Sequence, residues 1–164
     1  NVVGKDFGAK KIFLPQVMLS AEAMREAFIK IKERIPADSV SNKGTIVIAT
    51  VKGDIHDLGK NIVSALLENN GFKVIDLGKD IDKEEIIKAA IDNKADMIGL
   101  CSLMTTTITQ IDEVIAELNK SDYSTKVMIG GAVVTQEYAD NVGADAYAPD
   151  GVEAVEIAKK LINK

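Results

Sequence analysis

From residue 45 onwards, short apolar runs alternate with longer amphipathic patterns, and this alternation restricts the possible folds more than any other feature of the chain. The short runs are rich in β-branched residues, as in buried parallel strands, and the patterns between them have the three- and four-residue spacing of helices. Strands are predicted at residues 45–51, 73–77, 96–101, 126–129 and 145–147. Successive strand–helix units predict an α/β domain with helices on both faces of a parallel sheet.

A five-stranded parallel sheet favours the order 2-1-3-4-5 of flavodoxin-like, or Rossmann-like, folds, whose switch point lies between the first and third strands. Ligands of such sheets bind at that point, beyond the carboxyl ends of the strands. Among the helices, the first is expected to end at Gly71 in a left-handed conformation. The second is expected to begin with a capping box formed by Asp82 and Glu85.

The residues before this alternation contain a single amphipathic helix, which follows Pro15 and is stopped by Pro36. One helix cannot enclose a core, so some of its packing partners are expected to lie outside this chain. Because the first residue is not Met, we expect the chain to be a piece of a longer protein. The predicted division is a truncated helical domain at residues 1–36, a polar linker at 37–44 and a main domain at 45–164.

Composition excludes several classes of function. The net charge is −5 and there is no basic cluster, which argues against nucleic acid and anionic membranes as partners. Neither a signal peptide nor an apolar run of membrane-spanning length is present in the sequence. The single cysteine, Cys101, cannot form an internal disulfide and fits a reducing compartment, so we expect a cytoplasmic protein.

Residues 53–59, Gly-Asp-Ile-His-Asp-Leu-Gly, join the first strand to the first helix and hold the only histidine. A lone loop histidine is often an ordinary surface residue, and the residues alone leave that interpretation open. As a metal ligand, His56 would need a carboxylate such as Asp54 or Asp57 on its second ring nitrogen. Zinc is not expected, since one His and one Cys do not make a zinc site. One imidazole suits a metal whose other positions are filled by a macrocycle.

Two further loops lie at the carboxyl ends of predicted strands. Residues 101–107, after the third strand, are rich in hydroxyls, and Gly130-Gly131 follows the fourth strand. Taken singly, the first is also typical of a helix cap and the second of a turn. Together with the His56 loop they predict a slot beside a metal-bearing loop, where paired glycines let a planar group approach the backbone.

The Asp54-x-His56-x-x-Gly59 signature, the hydroxyl-rich loop and the glycine pair, in this order, resemble the cobalamin-binding module of methionine synthase, corrinoid methyl carriers and cobalamin-dependent mutases. The likeness spans essentially the whole chain. Residues 53–63 look like the methyl-transfer branch, and residues 1–16 look most like methionine synthase. Residues 104–107 and 134–138 are also similar to free-standing corrinoid carriers, so the choice between these two stays open.

The resemblance implies that His56 is the lower axial ligand of cobalt, in place of the cofactor's own dimethylbenzimidazole. Asp54 would bond the imidazole and pass the contact to Thr107, where methionine synthase has serine. The displaced nucleotide tail would lie in the slot, where Cys101 replaces the serine usual in the family and, as a thiol, is a weaker hydrogen-bond partner. The cofactor-binding residues so implied are Gly53, Asp54, Ile55, His56, Asp57, Gly59, Cys101, Leu103, Thr105, Gly130, Gly131 and Gly151, with Phe7 and Leu14 shielding the methyl face from a helical cap.

We therefore expect a chain that binds cobalamin, carries a methyl group on its cobalt as methylcobalamin, and is not catalytic alone. The main expectation is the cofactor-binding fragment of methionine synthase, which transfers a methyl group from methyltetrahydrofolate to homocysteine and whose partners bind folate and homocysteine. The alternative is a free-standing carrier for methanol or methylamine methyltransferases. A non-catalytic cobalamin sensor or a plain flavodoxin-like binding module remains as a different class. The helix at residues 15–35 predicts a second copy of the chain as a further partner.

Overall fold

The protein divides into two compact units, Asn1–Ser39 and Val40–Lys164. The structure, a computed structural model, describes residues 43–162 and, before them, residues 3, 9–13, 15–16, 19–20, 23, 26–27 and 30. The described positions from 15 to 30 are helical, in agreement with the helix predicted there. In the described part of the chain, no helix has the length and apolar character needed to cross a membrane.

The second unit is built on a five-stranded parallel sheet with the order β2-β1-β3-β4-β5, which confirms the predicted fold class and strand order. The strands are β1 (Thr45–Thr50), β2 (Lys73–Asp76), β3 (Met97–Cys101), β4 (Lys126–Gly130) and β5 (Ala146–Ala148). They alternate with helices α1 (Leu58–Asn69), α2 (Lys83–Asp92), α3 (Thr109–Leu118), α4 (Gln136–Val142) and α5 (Gly151–Ile162). Thr50, Cys101 and Gly130 are in register, so β1, β3 and β4 end side by side.

Both faces of the sheet are buried. Neighbouring residues of one strand, such as Ile46 and Val47, belong to opposite faces because successive strand side chains alternate. One core cluster joins the sheet to α2, α3 and α4, and the other joins it to α1 and α5. This two-sided burial explains why the strands read as continuous apolar runs in the sequence.

The helix ends agree with the sequence except at the start of α2. Gly71 follows α1 with a φ of +96°, as predicted for a left-handed residue after a helix. Asp82 precedes α2, but its side chain makes no capping hydrogen bond. Its Oδ2 instead accepts a hydrogen bond from Lys52 Nζ at 3.2 Å. The capping box predicted from Asp82 and Glu85 is therefore wrong, because a lysine on another loop competes for the carboxylate.

Candidate functional site

The loop between β1 and α1, residues 51–57, presents His56 with one ring nitrogen bonded and the other available; we call it the ligand loop. His56 Nδ1 lies 2.8 Å from Asp54 Oδ1, and the His56 backbone N–H donates to the same oxygen at 3.0 Å. Because the carboxylate accepts from Nδ1–H, the neutral ring has its lone pair on Nε2. Among the residues that the structure describes, none is a hydrogen-bond partner of Nε2, and 49% of the His56 side chain is exposed.

Asp54 is completely buried and connects His56 to the loop after β3. Its second oxygen, Oδ2, accepts from the Leu103 backbone N–H at 2.7 Å and from Thr107 Oγ1 at 3.1 Å. Thr107 Oγ1 in turn lies 2.9 Å from the buried Ser102 hydroxyl. The structure thus brings His56, Asp54 and Thr107 together as expected, and adds Ser102 and the Leu103 amide, neither of which had been assigned to this network.

The Asp54 carboxylate stays ionised at neutral pH despite its burial. Burial alone would raise its pKa. Hydrogen bonds from the backbone N–H groups of His56 and Leu103, the His56 ring and the Thr107 hydroxyl outweigh that effect and lower the pKa to about 2. Asp54 is therefore a fixed negative charge that orients the imidazole and would stabilise a positive charge on it.

The glycine pair after β4 packs against protein backbone. A Cβ on Gly131, whose φ is +129°, would lie 1.9 Å from the Ser102 carbonyl oxygen, and one on Gly130 would lie 2.9 Å from the Ala148 carbonyl oxygen. Ser102 N–H donates to the Gly130 carbonyl oxygen at 3.1 Å. The absence of a side chain at Gly131 lets the loops after β3 and β4 lie backbone to backbone, and its absence at Gly130 lets the end of β4 lie close to the end of β5.

Open space and exposed apolar side chains lie next to His56 along the chain. Gly59, in the first turn of α1, has no atom within 4 Å of the position that a Cβ would occupy. Ile55 is 63% exposed, and Leu58 and Ile62 are 42% and 37% exposed. An exposed imidazole next to a bare helix turn and apolar side chains suits a large, flat, partly apolar ligand bound through a metal.

The other predicted site residues lie outside the hydrogen-bond network of His56 and Asp54. Asp57 lies immediately before α1 without a capping hydrogen bond, and Thr105 is exposed in the turn after β3. A Cβ on Gly151 would lie 2.7 Å from Leu66 Cδ1, so Gly151 packs against α1. Cys101 is partly buried at the end of β3, where burial and then the negative charge of Asp54 raise the pKa of its thiol to about 11.

Two predicted site residues, Phe7 and Leu14, which were assigned to the methyl face, lie outside the described residues. The apolar residues Met24, Phe28 and Ile31 of the N-terminal helix also lie outside them. In the part that the structure does describe, no group of three or more His, Cys, Asp and Glu side chains could hold a metal ion. His56 is accordingly a candidate for one ligand of a metal that brings its other ligands with it.

The fold and this loop define a cobalamin-binding domain. A model described as a B12 binding domain matches residues 44–158, and a second model of the same description matches residues 1–32. The chain belongs to the B12-binding domain family, and cobalamin is its cofactor. Dimethylamine corrinoid protein 3 of Methanosarcina mazei is 47% identical over 165 residues, which cover 99% of this chain and 99% of that protein.

Solved structures are also similar to this chain. The monomethylamine corrinoid protein of Methanosarcina barkeri is 34% identical with a TM-score of 0.76, and the match covers 98% of this chain and 77% of that one. The methanol:cobalamin methyltransferase complex MtaBC of the same organism contains a chain that is 37% identical with a TM-score of 0.73; there the match covers 98% of this chain and 62% of the other. Both likenesses extend over nearly the whole of this chain.

Proposed function

We propose that this chain is a corrinoid methyl carrier, which binds cobalamin through His56 and presents a cobalt-bound methyl group to separate methyltransferase proteins. The observation that carries the proposal is the single exposed imidazole nitrogen, Nε2, on a ring whose Nδ1 is held at 2.8 Å by a fully buried carboxylate. A relative named as a dimethylamine corrinoid protein is matched over 99% of its own length. Methylamine or methanol methyltransferases are accordingly the proposed partners.

The relatives favour this carrier over the methionine synthase fragment expected from residues 1–16. Proteins named as dimethylamine and monomethylamine corrinoid proteins are similar to nearly the whole chain, including those N-terminal residues. We therefore replace the folate- and homocysteine-binding partners of the first hypothesis by methyltransferases for small methylated compounds. Which methylated compound is used would be decided by the partner that supplies the methyl group.

The residues of the ligand loop have separable tasks in this proposal. Bound cobalamin supplies a cobalt that accepts and gives up a methyl group. His56 would hold the cobalt through Nε2, and Asp54 would fix the ring and stabilise it when Nε2 is protonated instead. Thr107 and Leu103 hold Asp54 in place through hydrogen bonds to its Oδ2. Gly59 would leave room beside α1 for part of the bound cofactor.

Ligation by His56 can be tested on the Co(II) form of the bound cofactor by electron paramagnetic resonance. Because the chain has one histidine, ¹⁵N-histidine labelling of untagged protein marks a single imidazole. We expect labelling to change the nitrogen splitting of the wild type, and His56→Ala to remove the label-dependent splitting while circular dichroism stays unchanged. Asp57→Asn, which alters the neighbouring carboxylate, should keep it. A wild-type spectrum insensitive to the label would contradict ligation by His56.

A further inference from the structure

Asp80 makes two backbone-directed hydrogen bonds between the ligand loop and the loop between β2 and α2. The Gly53 backbone N–H donates to Asp80 Oδ1 at 2.8 Å. The Asp80 backbone N–H donates to the Asp54 carbonyl oxygen at 3.1 Å. One residue therefore binds both the glycine that starts the Gly53-Asp54-Ile55-His56 segment and the aspartate that orients the imidazole.

Asp80 adopts an unusual backbone conformation to make these contacts. Its φ is +58°, in the left-handed region that side-chain-bearing residues other than Asn and Asp seldom occupy. Gly53, its partner, is also left-handed, with a φ of +79°. Next to this pair, Val51 and Ile81 form an isolated parallel bridge between the same two loops. The conformation of both loops is thus fixed by several contacts at once, as expected where backbone strain persists.

The opposite side of the ligand loop is held by different groups. The Asp54 side chain bonds to Leu103 and Thr107, and Thr50 Oγ1 donates to the His56 carbonyl oxygen at 3.3 Å. These contacts fix the Asp54 carboxylate and the residue that it orients. They do not involve the Gly53 N–H or the Asp54 carbonyl oxygen on the β2 side, which Asp80 binds. The Asp54 N–H is held within the loop, where it donates to the Val51 carbonyl oxygen at 3.1 Å.

We propose that Asp80 is a positioning residue: its two hydrogen bonds hold the backbone of Gly53 and Asp54 so that the Asp54 carboxylate faces His56 Nδ1. Without them, the Lys52–Gly53 and Asp54–Ile55 peptide groups, which carry the Gly53 N–H and the Asp54 carbonyl, can rotate, and the hydrogen bond that selects the Nδ1–H tautomer weakens. This inference rests on the proposed role of His56 as the cobalt ligand, because only then does the tautomer matter to function.

The effect depends on hydrogen-bond geometry more than on charge. Lys52 Nζ lies 3.6 Å from Asp80 Oδ1 and 3.2 Å from Asp82 Oδ2, but these side chains are about half exposed, so solvent weakens their attraction. Asn keeps an acceptor oxygen and tolerates the left-handed region, whereas Gly keeps only the backbone conformation. Asp80→Asn should therefore preserve the position of the loop, and Asp80→Gly should not.

The experiment compares untagged, ¹⁵N-histidine-labelled proteins without cobalamin by nuclear magnetic resonance. The wild type and Asp80→Asn should show the single imidazole as the Nδ1–H tautomer. Asp80→Gly should show mixed tautomers and exchange of the Nδ1 proton with solvent about fivefold to tenfold faster, as for loss of the one hydrogen bond that the Asp80 side chain accepts from the Gly53 N–H. Lys94→Gly is the matched control, because Lys94, after α2, also has a left-handed φ, of +50°, and lies far along the chain from the ligand loop.

A wild-type spectrum for Asp80→Gly would overturn the proposal, as would an equal change in Lys94→Gly or a failure of Asp80→Asn to preserve the tautomer. Should Asp80→Gly not fold, Asp80→Ser, which keeps a polar side chain too short to span the same distance, is tested in its place with the same expected result. Because the readout needs no cofactor, it is independent of the electron paramagnetic resonance test. A tautomer change in Asp80→Gly together with no ligation by His56 would leave the positioning intact and reject the proposed function.

Discussion

At the scale of single residues, the thiol at the end of β3 has a property that the sequence does not reveal. Burial, and next the nearby charge of Asp54, raise the pKa of Cys101 from its ordinary 9.0 to about 11. Between about pH 9 and pH 11, the Cys101 thiol therefore keeps its proton in the folded protein, whereas in the unfolded chain it has lost it. The protonated thiol therefore contributes stability that is present at neutral pH and lost as the pH rises from about 9 to 11.

We expect Cys101 of the folded protein to react slowly with iodoacetamide near neutral pH, because only the thiolate attacks. Its rate should keep rising up to about pH 11, whereas in urea-unfolded protein the rate should level off near the ordinary thiol pKa. Mass spectrometry of the alkylated fraction over a pH series measures both, and Cys101→Ser gives the background. Equal rates for folded and unfolded protein at pH 8 would show that Cys101 is not protected.

The sequence predicted the principal residues of the ligand network and missed those that support them. Asp54 and His56 stand out in the loop that follows the first strand, whereas the contact with Thr107 was implied by the resemblance to the cobalamin-binding module. Asp80 was missed because it acts through one side-chain and one backbone hydrogen bond to a loop 27 residues away, and no motif marks it. Ser102 was missed for a related reason: its contact with Thr107 depends on how the loop turns back on itself.

At the scale of secondary structure, the start of α1 depends on an unusual ion pair. The helix has no side-chain cap at Asp57, and Gly59 in its first turn has a low helix propensity. Lys60, in the same turn, is only 2% exposed, and its Nζ pairs with the Asp76 carboxylate and donates to Asn61 Oδ1 at 2.8 Å. The ion pair thus fastens the first turn of α1, which directly follows His56, to the end of β2.

Lys60→Met should destabilise the protein by about 1.5 kcal/mol, the size of a hydrogen bond to a charged group, since Asp76 is partly exposed and keeps its hydrogen bonds from Ser64 and the Gly78 N–H. Lys88→Met is a matched control, because Lys88 pairs with Asp92 at an exposed position and its loss should cost at most about 0.5 kcal/mol. Urea unfolding followed by circular dichroism gives both free energies. A similar small loss in the two variants would mean that the Lys60 pair contributes no more than a surface pair.

The boundaries of strands and helices were predicted to within a few residues because β-branched runs and helical spacing left few alternatives. The capping box failed because local sequence does not show that Lys52 reaches Asp82. The burial of Lys60 was likewise hidden, since its partner Asp76 lies on the next strand and a lysine is by type a surface residue. Local patterns therefore give the elements, whereas the ion pairs that join elements require the fold.

At the scale of the whole molecule, all the core residues of the two clusters lie in the unit Val40–Lys164. We expect a chain that begins at Val40 to fold by itself, because the complete sheet and the helices on both of its faces remain. Cooperative urea unfolding, together with an unchanged tautomer of His56 in the ¹⁵N-labelled protein, would demonstrate this. A non-cooperative transition or mixed tautomers would show that the first 39 residues are needed for the native state.

The contrast between Gly131 and Gly59 matters to anyone who wishes to redesign this domain for another flat cofactor. The Ser102 carbonyl oxygen lies within 2 Å of any methyl group added at Gly131. A substitution there would therefore disturb folding, whatever its effect on ligand binding. At Gly59 the protein itself leaves space for a larger side chain, which would clash only with a bound molecule. A mutant library aimed at altered cofactor choice should therefore vary the first turn of α1 and leave the glycine pair untouched.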